Sequence, residues 1–213
     1  MLKKFNKSIL KQLDCPFYIF YSKKLIRQIS VFNKYFKGRV LYAVKSNPSE
    51  FIIKLLSKNG VNSFDAASIN EIRLIRKFVP KAKIFYMNPI KSRSSIKKAF
   101  QEFNVRDFAL DSYGELTKIN EETNFSKEIN LHLRIKIKND SSIINLSKKF
   151  GIDKKNAPDL LKKLSRYSYK VGLCFHVGSQ CMEPIAYENA IKICLDIIKK
   201  SGVKINFLNV GGG

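Results

Sequence analysis

Nowhere in its 213 residues does the chain carry an apolar run of the ~18 residues needed to span a bilayer. The basic start, Met1 to Leu13, lacks an uninterrupted apolar stretch and a small-residue cleavage site, so a secretory signal is not expected. Cysteine is scarce: Cys15, Cys174, Cys181 and Cys194 show no CxxC spacing and no His-rich partner segment. This argues against a disulfide framework and against a metal site, and makes a reducing cytoplasm the expected location. Acidic residues are also few, 17 against 40 Lys and Arg, for a formal net charge of +23. What the chain does have is 45% hydrophobic and 12% aromatic residues, ample for a core and too many for intrinsic disorder.

Such a charge suggests a nucleic-acid binder, but its distribution does not. The excess is almost all lysine, 32 Lys against 8 Arg, spread from Lys3 to Lys204. Nucleic-acid sites cluster their basic residues, favour arginine and interleave aromatics for stacking. The longest basic runs here are pairs such as Lys148–Lys149 and Lys199–Lys200, at helical spacing on expected solvent faces. Neither nucleic acid nor a membrane is the expected partner.

Short apolar runs alternate with amphipathic stretches along the chain. The runs are Arg39–Lys45, Val61–Ala66, Lys83–Met87, Asp107–Leu110, Ile129–Ile137, Val171–Val177 and Ile205–Val210. Most are near-continuously apolar and rich in β-branched or aromatic residues, the pattern of parallel strands buried on both faces. Between them lie helical patterns: Glu50–Lys58, a stretch opened by Ser68 and Glu71 at capping-box spacing, Ser94–Phe103, Tyr113–Glu121, Asp153–Arg166 and Pro184–Lys200. Strand–helix alternation of this regularity means parallel α/β, and seven units in a row favour a (β/α)8 TIM-type barrel over a doubly wound sheet. The earlier run Phe17–Tyr21 precedes the first unit and is expected to belong elsewhere. A closed barrel needs eight strands, so the chain is expected to be an incomplete barrel truncated after its seventh strand.

In a barrel the chemistry gathers at the carboxyl ends of the strands. Lys45 ends the first run, where a dry, narrow mouth would lower its pKa and make the amine nucleophilic; an ordinary surface lysine is the alternative. Asp65 ends the second strand and Glu71 lies one helical turn beyond; both are also plausible helix caps. Asp111 reads more readily as a cap. Arg134 sits inside the fifth strand, where a guanidinium must find an anionic or acceptor partner. His176 ends the sixth strand, followed by Gly178 and Ser179, whose N–H and hydroxyl groups could face an anion. The other histidine, His132, reads as structural. Gly211, Gly212 and Gly213 let backbone N–H groups approach a phosphate, where barrels often bind one. A strand-end lysine, a flat histidine and two phosphate cradles suit pyridoxal 5′-phosphate.

The ordered phrases Tyr42-Ala43-Val44-Lys45-Ser46-Asn47-Pro48, Phe64-Asp65-Ala66-Ala67-Ser68 with Glu71, His176-Val177-Gly178-Ser179-Gln180 and Val210-Gly211-Gly212-Gly213 resemble the fold-type III pyridoxal-phosphate decarboxylases. The phrase Phe175–Met182, with Tyr86–Lys91 and Lys149-Phe150-Gly151, is most similar to bacterial ornithine/lysine decarboxylases. The resemblance implies an alanine-racemase-like barrel over residues 23–213, residues 1–22 contributing a strand to a C-terminal β-domain that this sequence lacks, and a homodimer. It implies that Lys45 holds the cofactor, His176 stacks on its ring, Ser179 with Gly211–Gly213 binds its phosphate, and Asp65, Glu71 and Arg134 support the ring and its surroundings. The implied reaction is α-decarboxylation of a basic amino acid, L-ornithine to putrescine in polyamine synthesis being the first choice. Diaminopimelate or lysine decarboxylation is the alternative within the class. By the same resemblance, acids and a cysteine from the absent half complete the site, so this span is expected to be inactive alone. A non-catalytic pyridoxal-phosphate-binding barrel is the alternative from another class, against which the Phe17–Tyr21 run and the His176–Gln180 phrase argue. An antizyme-inhibitor-like protein would need a replaced lysine, and Lys45 is present.

Overall fold

The computed structural model describes residues 14–137 and 149–212, which fall in two units, residues 1–37 and 38–213. In the first, residues 14–21 carry no regular secondary structure and helix α1 spans Ser22–Tyr35. The second unit is a strict alternation. It contains β1 (Tyr42–Ala43), α2 (Glu50–Lys58), β2 (Ser63–Ala66), α3 (Ile69–Phe78), β3 (Lys83–Tyr86), α4 (Arg93–Gln101), β4 (Asp107–Leu110) and α5 (Tyr113–Glu122). It continues with β5 (Asn130–Arg134), α6 (Ala157–Tyr167), β6 (Lys170–Cys174), α7 (Pro184–Ser201) and β7 (Phe207–Asn209).

All seven strands are parallel and stand in chain order, β1 beside β2 through to β6 beside β7. This is the seven-strand partial barrel the periodicity implies, with β1 and β7 unpaired with one another among the described strands. The strands are shorter than their apolar runs. Arg39–Lys45 pairs only over Tyr42–Ala43, where β1 has β2 as its one neighbour among the described strands. α6 starts at Ala157 rather than Asp153. Asn156 and Ala157 donate to the Asp153 carbonyl in a preceding turn, and Pro158 occupies the helix's first turn.

The period of two divides the sheet into two faces. Phe64, Tyr86, Phe108, Leu110, Leu131, Leu133 and Leu173 point outward and pack beneath Ile72, Ile75, Ile96, Ile119, Leu160, Leu164 and Ile197 of the helices. Each such side chain contributes about 1.5–3 kcal/mol by leaving water. Three helix starts are fixed by serine: Ser68, Ser92 and Ser112 accept from the N–H groups of Glu71, Ser95 and Glu115.

The inward face is more polar. Phe85, Met87, Ala109 and Cys174 form a small apolar layer. Nearer the strand starts, His132 Nε2 lies 3.0 Å from Asp107 Oδ1, stacks on Phe207 at 4.1 Å and meets the Phe85 ring edge-on. Burial holds His132 below its ordinary pKa, so it is a neutral, structural ring, in keeping with the sequence reading. Gly172 makes room for the stack, since a Cβ there would fall 2.0 Å from the Phe207 ring. The floor of the half-barrel is therefore filled, and its functional groups gather at the other end.

Candidate functional site

Immediately after β1 the chain enters a single 3-10 turn, Val44–Ser46. Val44 is fully buried and anchors it. Ser46 Oγ donates to the Ala43 carbonyl (2.7 Å), Asn47 N–H to Val44 O (3.1 Å) and Tyr42 Oη to Asn47 O (3.1 Å). These braces fix the backbone of Lys45 while its long side chain stays exposed. The dry, narrow mouth expected around this lysine is not formed by the described residues, among which β1 pairs with β2 alone and Lys45 is exposed. What makes Lys45 distinctive is its company.

Asp65 on β2 is the register partner of Ala43, two residues before Lys45. Burial raises its carboxyl to about 6; the Lys45 and Arg134 charges oppose that rise and Glu71 adds to it. Glu71 Oε2 accepts from Ala67 N–H at 2.8 Å, while its own N–H donates to Ser68 Oγ at 3.3 Å. The expected capping box is therefore present, with the carboxylate reaching back one residue further than Ser68. Arg134 closes β5, its guanidinium 5.2 Å from the centre of the Phe150 ring. His176, two residues past Cys174, accepts from Gly178 N–H at Nδ1 (2.9 Å), so its proton sits on Nε2. Burial, reinforced by the positive charges of Arg134 and Lys45, pushes it down to about 4. It is a neutral flat ring at pH 7.

Two backbone segments run together beside His176. Gly178 (φ 104°) and Gln180 (φ 54°) bracket the half-buried Ser179 in a tight turn. After β7, Gly211 adopts φ 70° and donates to Asn209 Oδ1 at 2.9 Å. A Cβ on Gly211 would stand 2.4 Å from the Phe175 carbonyl oxygen, so only glycine lets the two segments approach this closely. Gly212 has open space where a side chain would be. Gly213 lies outside the described residues.

The structure thus brings Lys45, Asp65, Glu71, Arg134 and His176 into one electrostatic neighbourhood, with Ser179, Gly211 and Gly212 at the same strand ends. Burial pushes the thiol of Cys174 up to about 12, too high for it to serve as a nucleophile here. Sequence reasoning missed a neighbouring group. Lys91, fully buried, has its Nζ 2.8 Å from Glu115 Oε1 and donates to the carbonyls of Ala109 (2.6 Å) and Asn88 (3.0 Å). Lys118 holds the other oxygen of Glu115 at 2.6 Å. The signal available was the Ser112–Glu115 spacing, the same as that of Ser68–Glu71. Asp111, read as a cap, instead accepts from Gly151 N–H at 2.9 Å.

A family model described as the pyridoxal-binding domain of pyridoxal-dependent decarboxylases matches residues 22–213. The chain belongs to this family. It is 30% identical to the lysine/ornithine decarboxylase of Selenomonas ruminantium over 97% of this chain and 53% of that protein. To a probable ornithine decarboxylase of Dictyostelium discoideum it is 35% identical, over 81% of this chain and 37% of the relative. The crystal structure of lysine decarboxylase from Selenomonas ruminantium superposes with a TM-score of 0.83 at 29% identity, covering 97% of this chain and 55% of that one. The chain spans about half the length, or less, of the curated relatives it matches.

The residues present fit the family's cofactor, pyridoxal phosphate. An amine stands at the end of β1, a neutral flat ring at the end of β6, and a glycine-only approach at Gly211 opens onto unfilled space at Gly212. No group of three or more potential metal ligands occurs among the described residues.

Proposed function

We propose that this chain is the cofactor-holding part of a pyridoxal-phosphate-dependent decarboxylase of basic amino acids, with L-ornithine as substrate and putrescine as product. The observation that carries the proposal is the single neighbourhood formed by Lys45, Asp65, Arg134 and a neutral His176 at the strand ends of a half-barrel of this family. The names of its relatives, ornithine and lysine/ornithine decarboxylases, support the substrate class.

In this reading the cofactor, when bound, supplies an electron sink for the charge left at Cα as carbon dioxide departs. Everything else falls to the chain. Lys45 holds the cofactor's aldehyde carbon, and its braced turn keeps the attachment point fixed. His176 would supply a flat face for the cofactor ring. Because Gly178 occupies Nδ1 and the ring is neutral, it adds no further positive charge beside Lys45 and Arg134. Ser179 with the N–H of Gly212 would receive the phosphate, while Gly211, its own N–H held by Asn209 Oδ1, keeps the two segments close enough to do so. Asp65, part-protonated near pH 6, can hold or release a proton beside Lys45, and the Arg134 guanidinium biases it toward the carboxylate.

The same reading makes residues 1–22 an N-terminal segment that supplies a strand to a second domain, 23–213 the barrel part, and the working enzyme a cytoplasmic homodimer. A reducing compartment suits Cys15, Cys174 and Cys194, whose thiols are not in disulfides. No helix among the described residues is long and apolar enough to cross a membrane.

The test is to supply the full product of the gene with pyridoxal phosphate and, separately, ornithine, lysine, arginine and diaminopimelate. Release of carbon dioxide fastest from ornithine, with putrescine as product, is expected. Preference for diaminopimelate would move the protein to the alternative within the class. Tight cofactor capture without release from any of the four would support the non-catalytic reading.

A further inference from the structure

A short segment that takes no part in the binding mouth described above is tied down beside it more tightly than an ordinary loop. Ile152 N–H donates to Arg134 O (2.9 Å) and Lys136 N–H to Ile152 O (3.0 Å), so Ile135 and Ile152 form a parallel bridge that extends β5 past its end. Gly151 N–H donates to Asp111 Oδ2 (2.9 Å), which roots the same segment at the end of β4. Gly151 has φ 100°, and a Cβ there would stand 2.5 Å from the backbone nitrogen of Lys136. A glycine is required for the segment to lie this close. Its preceding residue is Phe150, whose ring faces the Arg134 guanidinium.

We propose that Phe150–Gly151–Ile152 is a clamp that aims the Arg134 guanidinium into the cofactor mouth, with Phe150 and Asp111 as positioning residues. The inference rests on Arg134 being a cofactor-site residue. An arginine at a half-buried strand end has a long arm with many rotamers, and its charge can lie in several places. The aromatic face gives the planar cation a preferred resting place, and the three backbone ties hold that face still. Asp111 acts through the backbone of Gly151, and Phe150 through its π-face. The guanidinium so held is one of the charges that act on both Asp65 and His176.

The position of the Arg134 charge can be read without cofactor, so failure here and failure to capture cofactor at Lys45 are separate results. The measurement is the NMR titration of His176, whose ring is acted on by Arg134 and Lys45 as well as by burial. Phe150→Leu keeps apolar bulk but loses the π-face; the His176 midpoint is expected to rise by about half a pH unit as the guanidinium swings away. Phe150→Tyr keeps the face and is expected to restore the parent midpoint. Asp111→Ala is expected to raise the midpoint too. Loss of a nearby negative charge would by itself move it the other way, so a rise reports displacement of the cation. A second measurement needs no variant: in the unaltered chain, the side-chain protons of Arg134 are expected upfield of their random-coil positions, in the Phe150 ring current. Random-coil shifts there, or equal His176 midpoints in Phe150→Leu, Asp111→Ala and the parent, would overturn the clamp.

Discussion

Lys91→Met keeps the apolar arm of a buried lysine and deletes its ammonium. In the structure that ammonium has no exposed surface and rests against Glu115 Oε1, with the Ala109 and Asn88 carbonyls as further acceptors. Removing one partner of a buried ion pair leaves the other charged and uncompensated, at a cost of about 3–5 kcal/mol. Lys118 still neutralises part of Glu115, so the lower end, about 3 kcal/mol, is expected from urea unfolding at pH 7. The exposed pair Lys200–Asp196 has the same 2.8 Å separation but side chains 61% and 48% accessible. Lys200→Met is therefore expected to lose no more than about 0.5 kcal/mol. A pH series sharpens the contrast. Burial lowers Lys91 to about 8, against the attraction of Glu115, while the unfolded chain keeps the ordinary 10.5. Between those values the unfolded state binds more protons than the folded one, so this group's contribution to stability rises with pH. The gap between parent and Lys91→Met is accordingly expected to widen from pH 8 to 10, by at most about 1.4 kcal/mol per pH unit. A loss under about 1 kcal/mol at pH 7, the range of exposed pairs, or a gap that narrows above pH 8, would refute the reasoning.

Asp65 works in the opposite direction. Its folded-state carboxyl titrates near 6 and its unfolded one near 3.8, so its contribution to stability declines as pH rises from about 4 to 6. Asp65→Asn, compared with the parent in the absence of cofactor, is expected to be about 1–2 kcal/mol more favourable at pH 7 than at pH 4; a pH-independent difference would contradict this. Gly211→Ala is expected to weaken pyridoxal phosphate binding at least about tenfold, or about 1.4 kcal/mol, with the far-ultraviolet circular dichroism unchanged. It must relieve both a left-handed backbone and the contact with Phe175 O. Parent-like affinity would remove Gly211 from the cradle.

Fold and site were legible to different depths. The seven strands could be read because parallel strands buried on both faces need near-continuous apolar runs, and Lys83–Tyr86 and Asp107–Leu110 nearly coincide with theirs. Their limits could not, since pairing depends on neighbours: Ile129–Ile137 forms a strand only over Asn130–Arg134 before turning to bridge with Ile152. Lys45 and His176 stood out because each follows an apolar run and precedes turn-forming residues. The exposure of Lys45 did not, because it depends on which strands flank β1, and among the described strands only β2 does. Lys91 was invisible for a related reason. Among 32 lysines, nothing local marks Lys91 as one whose arm folds inward, and its burial is tied to Glu115, 24 residues away. Phe150 and Asp111 carry roles that exist only once β4 and β5 are side by side.

The most direct test of the account is to load the protein with pyridoxal phosphate, reduce it with borohydride and locate the modified residue by peptide mass spectrometry. The 32 lysines make the outcome stringent. Modification at Lys45, lost in Lys45→Ala with the fold intact, is the expected result. Modification spread over other lysines, or none at all, would contradict the assignment on which the site rests.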